Sequence, residues 1–230
     1  CFSYLELDGI CGIQDGNTLY LEELSENFFA EKKDEKIKAQ TTFLKNIPEL
    51  LRKMARSDRY RKCRVGGFVN EILSSEIQQF AAVTIELPDG TVYISFRGTD
   101  DTITGWKEDF NLSNGIVPSH KRALEYLEKE GRYIQSMLRI GGHSKGGNLA
   151  MYAALQCEEE IQEKILTVYD NDGPGFPEGF FYVRDTEKIL KKVTRIIPEA
   201  SVIGMLLTHQ KEPVIIGSTQ KGILQHDAFT

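Results

Sequence analysis

The chain has 230 residues, a formal net charge of −6 at pH 7, and a composition that is 40% hydrophobic and 27% charged. These fractions are typical of a globular protein and exclude a disordered, collagen-like or coiled-coil chain. The excess of acidic side chains argues against a nucleic-acid partner, which requires a basic face. The sequence has no apolar run of about 18 residues, so no integral membrane segment is predicted.

Four cysteines, Cys1, Cys11, Cys63 and Cys157, are scattered along the chain without a CxxC pair. This spacing predicts no zinc site, and we expect no metal and no organic cofactor. Reduced thiols are the simpler expectation in a chain of this length. The sequence begins with Cys1 instead of Met and lacks the charged and apolar regions of a signal peptide. This suggests a trimmed or processed form, and we expect a cytoplasmic location.

Residues 19–60 are polar and lysine-rich, with apolar residues at helical intervals. The apolar positions are Leu21, Leu24, Phe28, Phe29, Phe43, Leu44, Ile47, Leu50, Leu51 and Met54. Their periodicity predicts two or three amphipathic helices, packed as an N-terminal elaboration on the rest of the chain. The mixed charges from Glu31 to Lys36 are typical of a solvated helix end or connection.

The pattern changes at Phe80, where two β-rich runs over 80–87 and 91–96 flank Pro88-Asp89-Gly90. This arrangement predicts a β-hairpin. Strands are then predicted over 137–142, 164–169, 193–197 and 213–217, and helices over 119–132, 144–158 and around 184–191. Strands that alternate with helices predict an α/β fold with a mainly parallel central sheet flanked by helices. We expect a single domain over 1–230, with its core over 80–230.

The segment Gly142-His143-Ser144-Lys145-Gly146 lies between a predicted strand and a predicted helix. A serine at such a turn has a strained backbone, and the residues two positions away on each side must be small to avoid collision. The turn exposes the Ser144 hydroxyl at the carboxyl end of a strand, beside the first amides of the helix. The segment predicts that Ser144 is a nucleophile, and the alternative is a glycine-rich turn with an incidental serine.

A nucleophilic serine needs a base, and the chain has four histidines. His143 belongs to the turn itself, which favours a packing role, and His120 precedes the serine. Hydrolases with this turn carry the acid and then the histidine after the serine, with the histidine in a loop after the last strand. His226 fits that position, with His209 in reserve. The alternative interpretation of His226 is a surface histidine.

The acid is predicted in the segment that follows the strand over 164–169. Asp172 directly precedes a Gly-Pro-Gly turn and is our first choice, because an acid at the end of this strand can reach a histidine at the same sheet edge. Asp170 and Glu199 are alternatives, and Asp172 could instead cap its own turn. Asp227 is not expected to orient His226, because adjacent side chains generally diverge.

Three stretches carry a family resemblance over roughly residues 80–230. The run from Tyr93 to Thr99 is similar to an apolar strand ending in F-R-G-[ST], and the run from Trp106 to Phe110 is similar to the W-x-x-D-[LF] that follows it. The run from Gly142 to Gly147 resembles a G-H-S-L-G-G turn, with Lys145 where Leu is usual. In this order the motifs resemble the α/β-hydrolase superfamily, and within it the class-three, fungal-type lipases. The wider pattern also resembles a group of bacterial lipase-like proteins.

The resemblance implies an α/β-hydrolase fold and a serine hydrolase that cleaves a carboxylic ester or thioester. It implies an oxyanion hole formed by Thr99 and the amide of Lys145. Fungal-type lipases carry their acid in a segment similar to residues 195–203, but the matching residue here is Ser201. Either Asp172 is the acid, as in pancreatic-type lipases, or the triad is incomplete. An incomplete triad would favour a catalytically inactive binding or regulatory module, with residues 19–60 as a partner surface.

The segment over 100–118 lies where the resemblance implies a lid. Its first residues, from Asp100 to Gly105, are polar and offer little apolar surface to a lipid interface. We therefore expect the partner to be a small-molecule acyl ester and not an emulsified triglyceride. The sequence predicts no oligomeric state.

Overall fold

The computed structural model describes residues 2–10, 17–32, 45–99, 103–182 and 186–230, with only the backbone described for Ile103 and Trp106. An eight-stranded sheet forms its centre, and the strands lie side by side in chain order. The strands are β1 (Leu19–Tyr20), β2 (Arg64–Leu73), β3 (Gln78–Glu86), β4 (Val92–Phe96), β5 (Leu138–His143), β6 (Ile165–Asn171), β7 (Val193–Pro198) and β8 (Val214–Ile216).

Strands β1 to β4 pair in antiparallel fashion, and strands β4 to β8 pair in parallel. Antiparallel neighbours can be joined by a tight turn, whereas parallel neighbours need longer crossover connections. The α/β fold with a mainly parallel sheet flanked by helices is confirmed.

Seven α-helices lie in the described part of the chain. They are α1 (Leu21–Glu31), α2 (Ile47–Ala55), α3 (Ile103–Asn111), α4 (Pro118–Tyr133), α5 (Lys145–Gln156), α6 (Glu159–Lys164) and α7 (Glu187–Leu190). The prediction of amphipathic helices within residues 19–60 is confirmed by α1 and α2, while Phe43 and Leu44 lie outside the described residues. None of the described helices combines the length and apolar character needed to cross a membrane.

The predicted hairpin is present between β3 and β4. The Leu87 amide donates to the Thr91 carbonyl at 2.8 Å, and Gly90 has a φ of +81°, which a glycine adopts without steric cost. The Asp89 carboxylate accepts hydrogen bonds from the Thr91 amide and hydroxyl at 3.0 and 2.6 Å. The turn residues therefore form the hydrogen bonds that fix the register of the two strands.

Two apolar cores use alternate residues of β3. Phe80 and Ala82 belong to a core with α4 and α5, whereas Val83 belongs to a second core with α1, α2 and the N-terminal residues. Successive side chains of a strand point to opposite faces of the sheet. The N-terminal residues and helices therefore cover one face of the antiparallel half. Cys63 and Cys157 are buried free thiols, while Cys1 and Cys11 lie outside the described residues.

No strand was predicted before Phe80, yet β2 already spans Arg64–Leu73. The register of β2 against β3 shifts between Gly66 and Val69. A β-bulge of this kind interrupts the two-residue alternation by which a strand is recognised. Helix α3 was also not predicted, because its segment was interpreted as a lid.

His120 is a buried histidine that joins α4 to α5. Its Nδ1 accepts a hydrogen bond from the Val117 amide at 3.0 Å, and its Nε2 donates to Asn148 Oδ1 at 2.6 Å. Burial lowers the pKa of His120 to about 4, so the ring is neutral in the folded protein at pH 7. Asn148 also donates to the carbonyls of Pro174 and Gly175, which connects the two helices to the loop after β6.

We expect the folded state to lose stability as the pH falls from 6.5 towards 4, because His120 binds a proton more readily in the unfolded chain. A folded pKa of about 4 against the ordinary 6.5 corresponds to about 3 kcal/mol at the acid end. The measurement is urea unfolding of the wild type and His120→Gln between pH 4 and 7. The variant should show a shallower pH slope, and parallel slopes would contradict the assignment.

Candidate active site

Ser144 lies at the turn between β5, which ends at His143, and α5, which begins at Lys145. Its φ of +58° and ψ of −134° are unusual for a residue other than glycine. The Ser144 amide donates to the Asn171 carbonyl at 3.0 Å, and its carbonyl accepts from the Gly147 amide at 2.9 Å. These two bonds hold the strained turn to β6 on one side and to α5 on the other.

Two glycines allow the backbone of this turn to pack closely. A Cβ atom on Gly142 would lie 2.3 Å from the carbonyl carbon of Gly146, and one on Gly146 would lie 2.4 Å from the Phe96 carbonyl oxygen. Real Cβ atoms do not approach backbone atoms so closely. The requirement for small residues on both sides of Ser144 therefore has a direct steric cause in this structure.

The candidate residues lie beyond the carboxyl ends of successive parallel strands. Ser144 directly follows β5 and Asp172 directly follows β6, while His226 ends a 3₁₀-helix over Gly222–His226 that comes after β8. In open α/β sheets the crevice outside the carboxyl ends of the strands is the usual ligand site. The fold therefore brings these residues to the same edge of the sheet.

Asp172 and His226 are in direct contact. His226 Nδ1 donates to Asp172 Oδ2 at 2.6 Å, and the two side chains are 17% and 7% exposed. Asp172 has a φ of +52°, and its amide donates to the Ile196 carbonyl at 2.8 Å. The strained backbone directs the carboxylate away from its own turn, so the alternative of an aspartate that only caps its turn does not account for this contact.

The second carboxylate oxygen of Asp172 is held by the loop after β7. Asp172 Oδ1 accepts hydrogen bonds from the Ser201 hydroxyl and from the Gly204 amide, the latter at 3.2 Å. Burial opposes ionisation of Asp172, but the hydrogen bonds from His226 and Ser201 outweigh it and hold the pKa below its ordinary value. Ser201, the residue matched to the acid position of fungal-type lipases, therefore donates a hydrogen bond to the aspartate.

His143 contacts the same histidine from the other side. Its Nε2 donates to the backbone carbonyl of His226 at 2.7 Å, and the two imidazole rings are 4.4 Å apart between centroids. Burial lowers the pKa of His143 to about 3, so this ring is neutral and can donate from Nε2. His143 thus packs against His226, and it also fixes the backbone of His226.

The other acids and bases considered from sequence have different contacts. Asp170 is buried, accepts from the Gly173 amide at 3.0 Å and lies 3.7 Å from Arg195 Nε; burial raises its pKa to about 7. Glu199 is exposed. His209 Nε2 contacts the Leu206 carbonyl at 3.2 Å, and Asp227 accepts a hydrogen bond from the Phe229 amide at 3.0 Å.

The structure brings Asp172 and His226 together, but the Ser144 hydroxyl has no hydrogen bond to His226 or to any other described residue. Catalytic hydrogen bonds are often long without substrate and tighten when it binds. The free hydroxyl lines a cavity of about 200 Å³. Its lining residues are Asp109, Leu112, Ser113, Ser144, Lys145, Pro174, Ile203, Leu206 and Leu207.

Thr99 follows β4 on the opposite side of Ser144 from Asp172. Its hydroxyl donates to the Asp109 carboxylate, with 2.6 Å to each oxygen. Burial raises the pKa of Asp109. The neighbouring Gly98 lies so close that its Cβ would be 3.1 Å from Ser144 Cβ. Thr99 is therefore next to Ser144, and its hydroxyl proton is already engaged by Asp109.

Tyr4 was not identified from the sequence, yet it contacts both sides of the turn. Its hydroxyl accepts from the Gly98 amide at 3.0 Å and donates to the His143 carbonyl at 3.4 Å. No local motif marks Tyr4, because its partners are 94 and 139 residues away. Within the described ranges, no three His, Cys, Asp or Glu side chains are arranged to hold a metal ion.

Comparison with protein families gives one match, to the sequence model of the Mbeg1-like family, over residues 54–230. No curated protein matches the chain significantly. The family match covers more than half of the chain. It includes all of the candidate residues, which are Thr99, Ser144, Lys145, Asp172 and His226.

Several solved structures match the chain. The native Rhizomucor miehei lipase propeptide complex is 17% identical with a TM-score of 0.50, covering 69% of this chain and 58% of its own. A deletion mutant of that complex is 15% identical with a TM-score of 0.51, covering 81% and 69%. M37 lipase is 16% identical with a TM-score of 0.47, covering 76% and 64%. At these identities the similarity to the Rhizomucor structures shows a lipase-related fold.

The chain is shorter than the structures it resembles. It spans 58% of the length of the native Rhizomucor miehei complex chain. The activity of the longer protein therefore does not follow from the fold alone.

We expect Gly146→Ala to destabilise the fold, although the same change inside a helix normally stabilises it by about 1 kcal/mol. The added Cβ would meet the Phe96 carbonyl at 2.4 Å, and overpacking of this kind costs about 1–3 kcal/mol. Chemical denaturation measures the difference. Gly217→Ala is the matched control, since its Cβ would have no atom within 4 Å and should change stability by less than about 0.5 kcal/mol. Equal effects of the two changes would contradict the steric argument.

Proposed function

The chain belongs to the Mbeg1-like family and has a lipase-related α/β fold, and we propose that it is a serine hydrolase that cleaves a carboxylic ester or thioester. The observation that carries the proposal is the contact of 2.6 Å between His226 Nδ1 and Asp172 Oδ2. The contact lies at the sheet edge where Ser144 has its strained backbone. A serine, a histidine and a buried carboxylate are the three members of a Ser-His-Asp triad.

In the proposed reaction Ser144 Oγ attacks the carbonyl carbon of the substrate. His226 Nε2 accepts the hydroxyl proton and then donates it to the leaving alcohol or thiol as the acyl bond breaks. Water then attacks the acyl carbonyl carbon and gives a proton to His226, which returns it to Ser144 Oγ as the acyl–oxygen bond breaks and the acid is released. Asp172 holds the proton on Nδ1 through the short contact, so Nε2 is the nitrogen that acts as the base.

The negative charge that develops on the carbonyl oxygen needs donors that are already in place. The amide of Lys145 is available, because the first amides of a helix have no partner within the helix. The amide of Thr99 is the second donor. The Thr99 hydroxyl donates its hydrogen bond to Asp109, so in this mechanism the hydroxyl holds Thr99 in place and the amide meets the oxyanion.

The cavity supports an acyl substrate with an apolar chain. Leu112, Ile203, Leu206 and Leu207 line it, together with Pro174. An apolar wall beside a polar reaction centre is typical of sites that bind the hydrocarbon part of a substrate and orient it with a few polar groups. We therefore propose a small-molecule acyl ester as the substrate class, with no cofactor.

The binding or regulatory module was favoured by the apparent absence of an acid. A histidine without a carboxylate partner would support that interpretation. In the structure, Asp172 lies in hydrogen-bonding contact with His226. No observation on the residues of α1 and α2 favours a partner surface over their packing in the second core. We therefore retain the hydrolase as the proposed function.

We expect Ser144→Ala to abolish labelling by a fluorophosphonate, because Ser144 Oγ would displace the fluoride from phosphorus. Hydrolysis of a short-chain aryl ester should fall by about 10⁴-fold or more. Ser113→Ala is the matched control, since Ser113 lines the same cavity and donates to the Phe110 carbonyl. It should keep both labelling and turnover. Folded wild-type protein that takes up no label at Ser144 would refute the proposal.

We expect Asp172→Asn to lower kcat by about 10⁴-fold, because an amide cannot hold the proton on His226 Nδ1. Ser201→Ala removes one donor to Asp172 and should lower kcat by about tenfold, the value of a hydrogen bond to a charged group. Steady-state kinetics with an aryl ester rank the variants. If Asp170→Asn or Glu199→Gln proves more damaging than Asp172→Asn, the acid has been misassigned.

A further inference from the structure

Lys145 and Glu108 form an ion pair that the proposed reaction does not use. Lys145 Nζ lies 2.8 Å from Glu108 Oε2, and the two side chains are 1% and 0% exposed. Removing two charges from water is costly, and their attraction compensates only when further hydrogen bonds complete the site. A fully buried pair next to the proposed nucleophile therefore needs a structural or functional reason.

Both charged groups of the pair have further hydrogen bonds. Besides Glu108, the Lys145 ammonium donates to the backbone carbonyl of Gln79 at 3.1 Å and to its side-chain oxygen at 3.2 Å, which uses all three of its protons. Glu108 Oε2 also accepts from the Gln79 amide at 3.1 Å, and Oε1 accepts from the Ser119 amide at 3.0 Å. Each of these contacts is a hydrogen bond, so its strength depends on the distance and angle between donor and acceptor.

The network ties four parts of the chain together. Gln79 is in β3, Glu108 is in α3, Ser119 is in the first turn of α4, and Lys145 begins α5 directly after Ser144. The main chain of Lys145 and its side chain therefore have separate tasks. The amide is the proposed oxyanion donor, while the ammonium anchors the residue to β3 and α3, and Glu108 extends the network to α4.

The same pair acts on the other proposed donor through α3. Asp109 is next to Glu108 and accepts the Thr99 hydroxyl at 2.6 Å. Asp109 and, just after the helix, Leu112 also line the cavity above Ser144. When Glu108 is fixed by Lys145, α3 is fixed as a wall of the cavity, and Asp109 holds Thr99 at a set distance from the Lys145 amide.

We propose that the Lys145–Glu108 pair is a positioning device that sets the separation of the two oxyanion donors, the amides of Lys145 and Thr99. The proposal rests on the hydrolase function and deepens it by assigning a role to the lysine that replaces the usual leucine. Lys145 and Glu108 act through Thr99 and the main chain, and their charged groups take no part in proton transfer.

The experiment replaces both charges at once, in Lys145→Met/Glu108→Met. This variant keeps the amide of residue 145, and apolar side chains of similar volume often replace a buried ion pair without loss of stability. Because the directional contacts are lost, kcat for an aryl ester should fall by about 10- to 100-fold, the usual effect of a small misplacement in an active site. KM should stay within about threefold.

A second readout separates positioning from folding. A trifluoromethyl ketone adds to a catalytic serine and places a negative charge on the former carbonyl oxygen, so its binding reports on the oxyanion donors. Its affinity should fall by the same factor as kcat. The matched control is Arg122→Met/Glu71→Met, which removes a partly exposed ion pair with two contacts of 2.9 Å between α4 and β2. This variant should keep kcat and ketone affinity.

A folded Lys145→Met/Glu108→Met protein with kcat and ketone affinity within about threefold of the wild type would overturn the positioning role. The hydrolase proposal would stand in that case, because the wild type would still turn over. A wild type that neither hydrolyses esters nor binds the ketone would overturn both proposals. If the double variant does not fold, Glu108→Gln carries the test, since it keeps the side-chain size and should lower kcat and ketone affinity in parallel.

Discussion

Five parallel strands, β4 to β8, end at one edge of the sheet, and this shared edge brings together residues that are far apart in the sequence. Thr99, Ser144, Asp172 and Ser201 follow four successive strands, and His226 follows the last. Parallel pairing fixes the direction of every chain that leaves the edge. The contacts of Asp172 with His226 and Ser201 depend on this convergence, because each connects a loop after one strand with a loop after another.

Local patterns in the sequence were sufficient for the features that depend on neighbouring residues. The hairpin at Asp89 and Gly90, the strand before Ser144 and the helix after it are all present, because turn chemistry and side-chain periodicity act over a few residues. Asp172 was chosen for its position between a strand and a Gly-Pro-Gly turn, and His226 for its position in the chain order. The structure places these two side chains in contact. Their roles in catalysis remain part of the proposal.

Features that depend on distant contacts could not be predicted in the same way. The bulge in β2 hides its alternation, and its pairing with β3 completes the strand. The residue at position 201 looked like a lost acid, yet its hydroxyl donates to the aspartate that follows a different strand. Lys145 looked like an exception to a motif, and the position of Glu108, 37 residues earlier, gives its charge a counter-ion. In each case the sequence shows the residue but does not show which distant residue it contacts.

The N-terminal residues lie outside the region matched by the family, which begins at residue 54, but they are part of the working structure. Tyr4 joins Gly98 to His143, and Leu5, Leu7, Leu21 and Leu24 are buried in the second core. A fragment cut at the family boundary would expose Val65 and Val83 to water, and a large exposed apolar surface favours aggregation. The smallest unit that can be expressed and assayed therefore extends well beyond the part of the chain by which the family is recognised.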